Sequence, residues 1–137
     1  MRSVGLITAP EVTLETFRPA LERRFDVTLA RPIVGGPRLV IEHGQTYALL
    51  EALGDGPERY DEYEPGELDV VGQERMAFFD LQYRSIAFLK RVLQVIADDP
   101  GIWVDLDDGT ILHGPDLAAR LRREPTWLLE QPTVTGD

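Results

Sequence analysis

The hydrophobic positions near the N-terminus predict one strand followed by one helix. Residues 4–8 form a short apolar run that Pro10 ends, a pattern typical of a strand. Apolar residues then recur at intervals of three and four, the spacing of one helix face: Leu14, Phe17, Leu21 and Phe25. Pro19 lies inside this pattern, and proline is tolerated mainly in the first turn of a helix. We therefore expect the regular helix to begin near Thr16.

The middle of the chain alternates apolar runs with turn residues, which predicts several strands. Residues 27–34 form a run with a proline near its end, and this favours an edge position or a strand end. Gly35-Gly36-Pro37 predicts a turn. Residues 38–41 and 46–50 lie on either side of a short polar stretch and predict a β-hairpin. Residues 47–53 are also rich in alanine and leucine, so a helix there stays open.

The second half predicts two strands, a helix, a hairpin and a last helix. The strands are predicted at residues 68–71 and 76–83. Ser85 is a suitable N-cap for a helix over residues 85–97, whose apolar stripe consists of Ile86, Leu89, Val92, Leu93 and Ile96. Asp107-Asp108-Gly109 between two apolar runs predicts a hairpin over residues 102–112. Gly114-Pro115 suits the start of the last helix.

This order of elements indicates a single α+β domain spanning residues 1–137. We expect an antiparallel or mixed sheet with helices packed mainly on one face. Residues 54–66, rich in glycine, proline and acids, are expected to form an irregular acidic loop. Residues 131–137 are expected to be a frayed tail.

Composition and charge narrow the classes of partner. The net charge of −10 repels phosphate backbones and anionic lipids, so we expect neither nucleic acid nor a membrane surface as a partner. The absence of cysteine excludes disulfides and thiol chemistry. The N-terminal apolar run is too short for a secretory signal, and no run approaches a membrane span. We therefore expect a cytoplasmic protein, and self-association into a homo-oligomer stays open.

One acidic segment, residues 51–74, carries most of the charge. It holds nine acidic residues against a single basic one, a net of −8. A solvated loop would explain such a run, but concentrated acids repel one another, and its two tyrosines would make good interface anchors. We hypothesise that the segment is an exposed binding loop, and we therefore expect substitutions in it to leave the melting temperature nearly unchanged. The predicted partner-binding residues are Glu58, Tyr60, Asp61, Glu62, Tyr63, Glu64, Glu67 and Asp69.

Catalytic, cofactor and metal motifs do not emerge from the sequence. A calcium loop starting at Asp105 fails because its sixth position is Thr110, where such loops need glycine. The two histidines, His43 and His113, are far apart and have no cysteine to assist them. We therefore predict no catalytic, cofactor-binding or metal-binding residue. The alternative is a small hydrolase or metal-dependent enzyme that uses Asp105, Asp107 and His113.

The C-terminal half resembles small bacterial immunity-type proteins encoded beside polymorphic toxins. The resemblance rests on residues 78–85, on the pattern W-V-D-x-D-x-G-x-x-x-x-G at residues 103–114, and on Pro125-Thr126-Trp127. It implies a non-enzymatic inhibitor that covers the active site of a toxin. Carboxylates could occupy the place of phosphates in a basic cleft. The sequence thus favours a module that binds a basic protein; a structural or regulatory domain of a larger assembly is the alternative.

Overall fold

The described part of the chain forms one seven-stranded sheet with its three longer helices on one side. The computed structural model describes residues 2–54, 56–60, 62–106, 110–124 and 126–127. The strands are β1 (Arg2–Thr8), β2 (Asp26–Ala30), β3 (Arg38–His43), β4 (Thr46–Gly54), β5 (Ala77–Tyr83), β6 (Trp103–Asp105) and β7 (Ile111–His113). The helices are α1 (Leu14–Glu22), α2 (Pro57–Tyr60), a 3-10 helix (Glu67–Val71), α3 (Ile86–Ile96) and α4 (Gly114–Arg123).

The sheet has the strand order β2-β3-β4-β5-β1-β6-β7, and each of these pairings is antiparallel. The prediction of a single α+β domain is confirmed. Of the two sheet types that were predicted, antiparallel and mixed, the structure has the antiparallel one. The first strand of the chain lies inside the sheet, where Leu6 is opposite Phe79 on one side and Val104 on the other. This placement depends on pairings between residues that are distant in sequence.

The main hydrophobic core lies between the sheet and the three longer helices. Val4, Leu6, Leu50 and Leu81 point from the strands to this side, where α1, α3 and α4 cover them. The apolar stripe predicted for α3 is largely buried, and Leu89, Val92 and Leu93 have no exposed surface. Burial of each such side chain stabilises the fold by about 1.5–3 kcal/mol.

A second, smaller hydrophobic cluster lies on the opposite face of the sheet. Its buried members are Ile7, Val71, Met76 and Phe78, and apolar residues of the acidic segment pack against them. The middle of the sheet is therefore covered on both faces. This explains why β5 is apolar on both sides, with Phe78 in the second cluster and Phe79 in the main core.

Helix α1 begins two residues earlier than expected. The predicted start near Thr16 is wrong because Thr13 acts as the N-cap: its backbone N–H donates to the Thr16 side-chain oxygen at 3.0 Å. Pro19 therefore lies in the helix interior. Its position is exposed, so water can reach the backbone carbonyl that the proline leaves without a donor. Phe25 lies beyond the end of α1 but is still buried.

Three predicted strands need comment. Strand β2 ends at Ala30, before the proline, so the predicted run over residues 27–34 was too long. The open choice for residues 47–53 is resolved, because they belong to β4. The predicted strand at residues 68–71 is wrong, since a 3-10 helix spans them. Gly66 and Gly72 flank this helix with φ of 85° and 70°, left-handed values that turn the chain at both ends.

The elements predicted from residue 76 onward are confirmed where the structure describes them. The Ser85 side chain caps α3 by accepting a hydrogen bond from the Phe88 N–H at 3.2 Å. Strands β6 and β7 pair as a hairpin, with Trp103 opposite His113. The turn predicted at Asp107-Asp108-Gly109 and the tail at residues 131–137 lie outside the described residues. Helix α4 begins at Gly114, with Pro115 in its first turn.

A substitution at Gly114 tests the packing of α4 against the end of α3. A Cβ atom here would overlap the carbonyl oxygen of Ala97 and lie 2.8 Å from that of Ile102. We predict that Gly114→Ala lowers the free energy of unfolding by about 2–3 kcal/mol in urea denaturation. Gly36→Ala is the matched control, because nothing lies within 4 Å of its Cβ position. Equal stability of the two variants would contradict the described packing.

Candidate functional site

The acidic segment crosses the face of the sheet that the three longer helices leave uncovered. It begins in the second half of β4, continues through α2 and the 3-10 helix, and ends shortly before β5. Leu53, Tyr60, Tyr63 and Leu68 from this segment pack against the second hydrophobic cluster. The segment is therefore attached to the body of the protein along its length.

Tyr60 attaches the segment at the start of β5. Its ring packs edge-to-face on Phe78, with ring centroids 5.4 Å apart. Its hydroxyl accepts a hydrogen bond from the Met76 backbone N–H at 2.9 Å and donates one to the Met76 carbonyl at 3.4 Å. The polar tip of this half-buried side chain thus satisfies the backbone groups of Met76.

Tyr63 attaches the segment to β6, which pairs with β1 on the side opposite β5. Its ring stacks on Phe78 with a centroid separation of 5.9 Å, and its hydroxyl donates to Oδ2 of Asp105 at 3.0 Å. Burial raises the pKa of the Tyr63 phenol well above its usual value, and the negative charge of Asp105 raises it further. Tyr63 therefore remains a protonated donor at neutral pH.

The two tyrosines do not lie on an exposed loop as predicted. Both are half-buried, and each has partners within the chain: the Phe78 ring for both, Met76 for Tyr60 and Asp105 for Tyr63. The expectation that substitutions here leave the melting temperature nearly unchanged rested on an exposed loop, and that premise is wrong for these two tyrosines, because their side chains attach the segment to the sheet. Whether the segment binds a partner stays a prediction.

Most described carboxylates of the candidate site face solvent. Glu62, Glu64 and Asp69 are exposed, while Glu67 is half-buried and accepts a hydrogen bond from the Glu64 backbone N–H at 2.9 Å. The only basic residue of the segment, Arg59, lies 3.4 Å from the Glu62 carboxylate. The side chain of Glu58 and the whole of Asp61 lie outside the described residues. The segment thus has its tyrosine rings against the sheet and carboxylates on its outer side.

A row of acidic residues under the segment was not predicted. The strand register aligns Glu51, Asp80, Gly5 and Asp105 on four neighbouring strands. Gly5 carries no side chain, which leaves a concavity of about 300 Å³ bordered by Asp80, Asp105 and Tyr63. The signal in the sequence was an aspartate within each of two otherwise largely apolar strands, β5 and β6.

Neighbouring side chains interact with the carboxylates of this row, and one of them, Arg38, carries a positive charge. Gln82 donates to Asp80 at 3.0 Å, and Arg38 lies 3.7 Å from Glu51. Tyr63 donates to Asp105, as described above. These contacts hold the carboxylates on the face of the sheet on which the acidic segment packs. The negative surface therefore extends inward from the segment.

Two residues of the alternative enzymatic site, His113 and Asp105, each contact another described residue. The His113 ring packs on Trp103 with centroids 4.5 Å apart, and its Nε2 lies 2.8 Å from the Pro100 carbonyl oxygen. Asp105 is bonded to Tyr63, and Asp107 lies outside the described residues. In the described ranges, no group of three or more histidine, aspartate or glutamate residues is arranged to hold a metal ion. That the protein has no catalytic or metal site stays a prediction.

Comparison with known proteins adds no family: no family model, no curated protein and no solved structure matches the chain. The resemblance to immunity-type proteins therefore remains an expectation from the sequence. Among the helices in the described ranges, none has the length and apolar character needed to cross a membrane.

The Tyr63 hydroxyl gives a test of the attachment of the segment. We predict that Tyr63→Phe lowers the free energy of unfolding by about 1 kcal/mol at pH 7, because one hydrogen bond to a carboxylate is lost. Above the ordinary tyrosine pKa of 10.0, the unfolded wild type ionises at this residue while the folded form stays protonated. The wild type should then lose about 1.4 kcal/mol per pH unit through this group, a loss that the variant lacks.

Urea denaturation at several pH values measures this difference. The stability gap between wild type and Tyr63→Phe should shrink as the pH rises above 10.0. Tyr47→Phe is the matched control, because the Tyr47 hydroxyl makes no hydrogen bond within the described part of the chain. It should change stability by less than about 0.5 kcal/mol. A gap that is the same at every pH would contradict the described environment of Tyr63.

Proposed function

We propose that the protein is a non-enzymatic binding module that neutralises a basic protein partner through its acidic segment, as an immunity-type inhibitor of a toxin would. The observation that supports this most is the opposite orientation of aromatic and acidic side chains in the segment. Tyr60 and Tyr63 pack on the sheet, while Glu62, Glu64 and Asp69 are exposed. A segment that served only for solubility would not need such attachment.

Attachment to the sheet favours binding for an energetic reason. Ordering a flexible loop on association costs free energy, and a surface that is already ordered avoids much of that cost. The segment carries a net charge of −8, so its carboxylates would attract a basic surface and raise the rate of encounter. The cleft of an enzyme that binds phosphate groups has the complementary charge.

Charge-reversal variants distinguish the effect of the acidic segment on binding from the effect of the overall charge of the protein. We predict that the triple variant Glu62→Lys, Glu64→Lys, Asp69→Lys slows association with the partner at least about tenfold and weakens its salt dependence. The matched control reverses Glu11, Asp26 and Glu42, three exposed acids outside the segment. This control has the same net charge and should stay within about twofold of the wild type, because exposed charges far from the interface are screened.

The partner must first be captured with the wild-type protein from cells that express its gene, and identified by mass spectrometry. Association and dissociation rates are then measured by surface plasmon resonance for the three proteins. A growth assay adds the function: the partner alone should arrest growth, and co-expression of the wild type or the control should restore it. If both triple variants bind and protect as the wild type does, the segment only solvates the protein and the proposal fails.

A structural domain of a larger assembly would give a different result. Its partner would not be toxic when expressed alone, and the growth assay would show no protection. In that case binding could still depend on Glu62 and its neighbours, so the two assays together distinguish binding from neutralisation.

A further inference from the structure

A concave pocket on the helical side of the molecule is lined by four arginines: Arg23, Arg24, Arg91 and Arg122. The first two follow the end of α1, Arg91 lies on α3 and Arg122 lies on α4. The pocket encloses about 550 Å³, within the range of roughly 300–1,000 Å³ that is usual for small-molecule sites. It lies on the helical side of the sheet, whereas the acidic segment packs on the other face.

Within the described residues, three of these arginines lack the carboxylate partners that Arg18 and Arg120 have. Arg18 lies between Glu15 and Glu22 at 3.3 and 3.2 Å, and Arg120 lies 3.2 Å from Glu124. In the part of the chain that the structure describes, no carboxylate forms an ion pair with Arg23, Arg24 or Arg91. Their mutual repulsion is therefore not offset within that part of the chain.

Helix α3 also has no acidic residue that could pair with Arg91. This helix contains Lys90 and Arg91 but no aspartate or glutamate, although the chain has 24 acidic residues. The positions three and four residues from Arg91, where a carboxylate could pair with it, hold apolar or neutral residues. Arg91 therefore has no carboxylate at the helix positions where an ion pair could form.

One guanidinium group of the pocket, that of Arg91, packs against aromatic rings. The Arg91 guanidinium lies over the rings of Phe25 and Phe88, at 5.4 and 5.9 Å from their centroids. Stacking uses the face of the guanidinium and leaves its N–H edge available for hydrogen bonds. The one lining carboxylate, Asp98, lies 3.4 Å from Arg122, and both side chains are about half exposed.

We propose that this pocket binds a small multivalent oxyanion, a molecule with two or more adjacent phosphate or carboxylate groups. Arginine suits both groups, because its planar fork matches two oxygens at once. A long polyanion would meet the field of the whole protein, whose net charge is −10. A small anion responds mainly to charges within a Debye length of about 8–10 Å, and the lining of the pocket contains four arginines and one aspartate. The site is independent of the function proposed for the acidic segment.

Isothermal titration calorimetry on the full chain, at roughly 0.05 M salt where screening is weak, tests the proposal. The probes are pyrophosphate, magnesium-free ATP and citrate. The double variant Arg23→Gln, Arg24→Gln should weaken binding at least about tenfold, since two charged hydrogen-bond donors are removed. The matched control Arg31→Gln, Arg84→Gln removes two charges outside the pocket and should stay within about twofold of the wild type.

A third variant guards against a loss that comes only from poor folding. Asp98→Asn removes the one carboxylate of the lining and should tighten binding about two- to fivefold, which a folding defect cannot imitate. Tighter binding of pyrophosphate than of citrate identifies a phosphate ligand, and the reverse order identifies a carboxylate ligand. The proposal is overturned if no probe binds saturably, if both double variants lose affinity equally, or if Asp98→Asn fails to tighten binding.

Discussion

Phe78 and Phe79 point to opposite faces of the same strand, and each organises one of the two hydrophobic clusters. Phe79 packs edge-to-face on Phe17 of α1, with centroids 5.1 Å apart, and joins the sheet to the helices. The rings of Tyr60 and Tyr63 pack on Phe78, and this contact joins the sheet to the acidic segment. Because one strand carries both contacts, the helical layer and the acidic layer take fixed positions relative to each other. The segment's self-repulsion is opposed by aromatic packing.

Local signals in the sequence were sufficient for the elements that depend on neighbouring residues. The apolar stripe of α3 with its Ser85 cap, and the hairpin between β6 and β7, need only short-range information. The position of β1 inside the sheet could not be predicted, because its partners β5 and β6 follow much later in the chain. The 3-10 helix over Glu67–Val71 was mistaken for a strand, since composition does not reveal that glycines on both sides adopt left-handed values.

The candidate site was predicted in its charge but not in its construction. The concentration of acids in residues 51–74 is visible in the sequence, whereas the direction in which a tyrosine ring points depends on what lies beneath it. Asp80 and Asp105 were missed as members of one row because only the strand register places Gly5 between them. The arginine pocket was missed for a similar reason, since its residues come from three separate helical regions. The structure thus places a cluster of four arginines on the helical side of the sheet and the acidic segment on the other face.

The internal position of β1 has a consequence for synthesis on the ribosome. Leu6 and Ile7, which are fully buried, emerge well before the strands that pair with them, which come from residues 77–83 and 103–105. Until those residues leave the exit tunnel, β1 is an apolar strand with two open edges, the kind of segment that pairs wrongly with other chains. Long-range pairing of this sort also slows folding. Two residues that are fully buried in the native state therefore stay without their strand partners until much of the chain has been made.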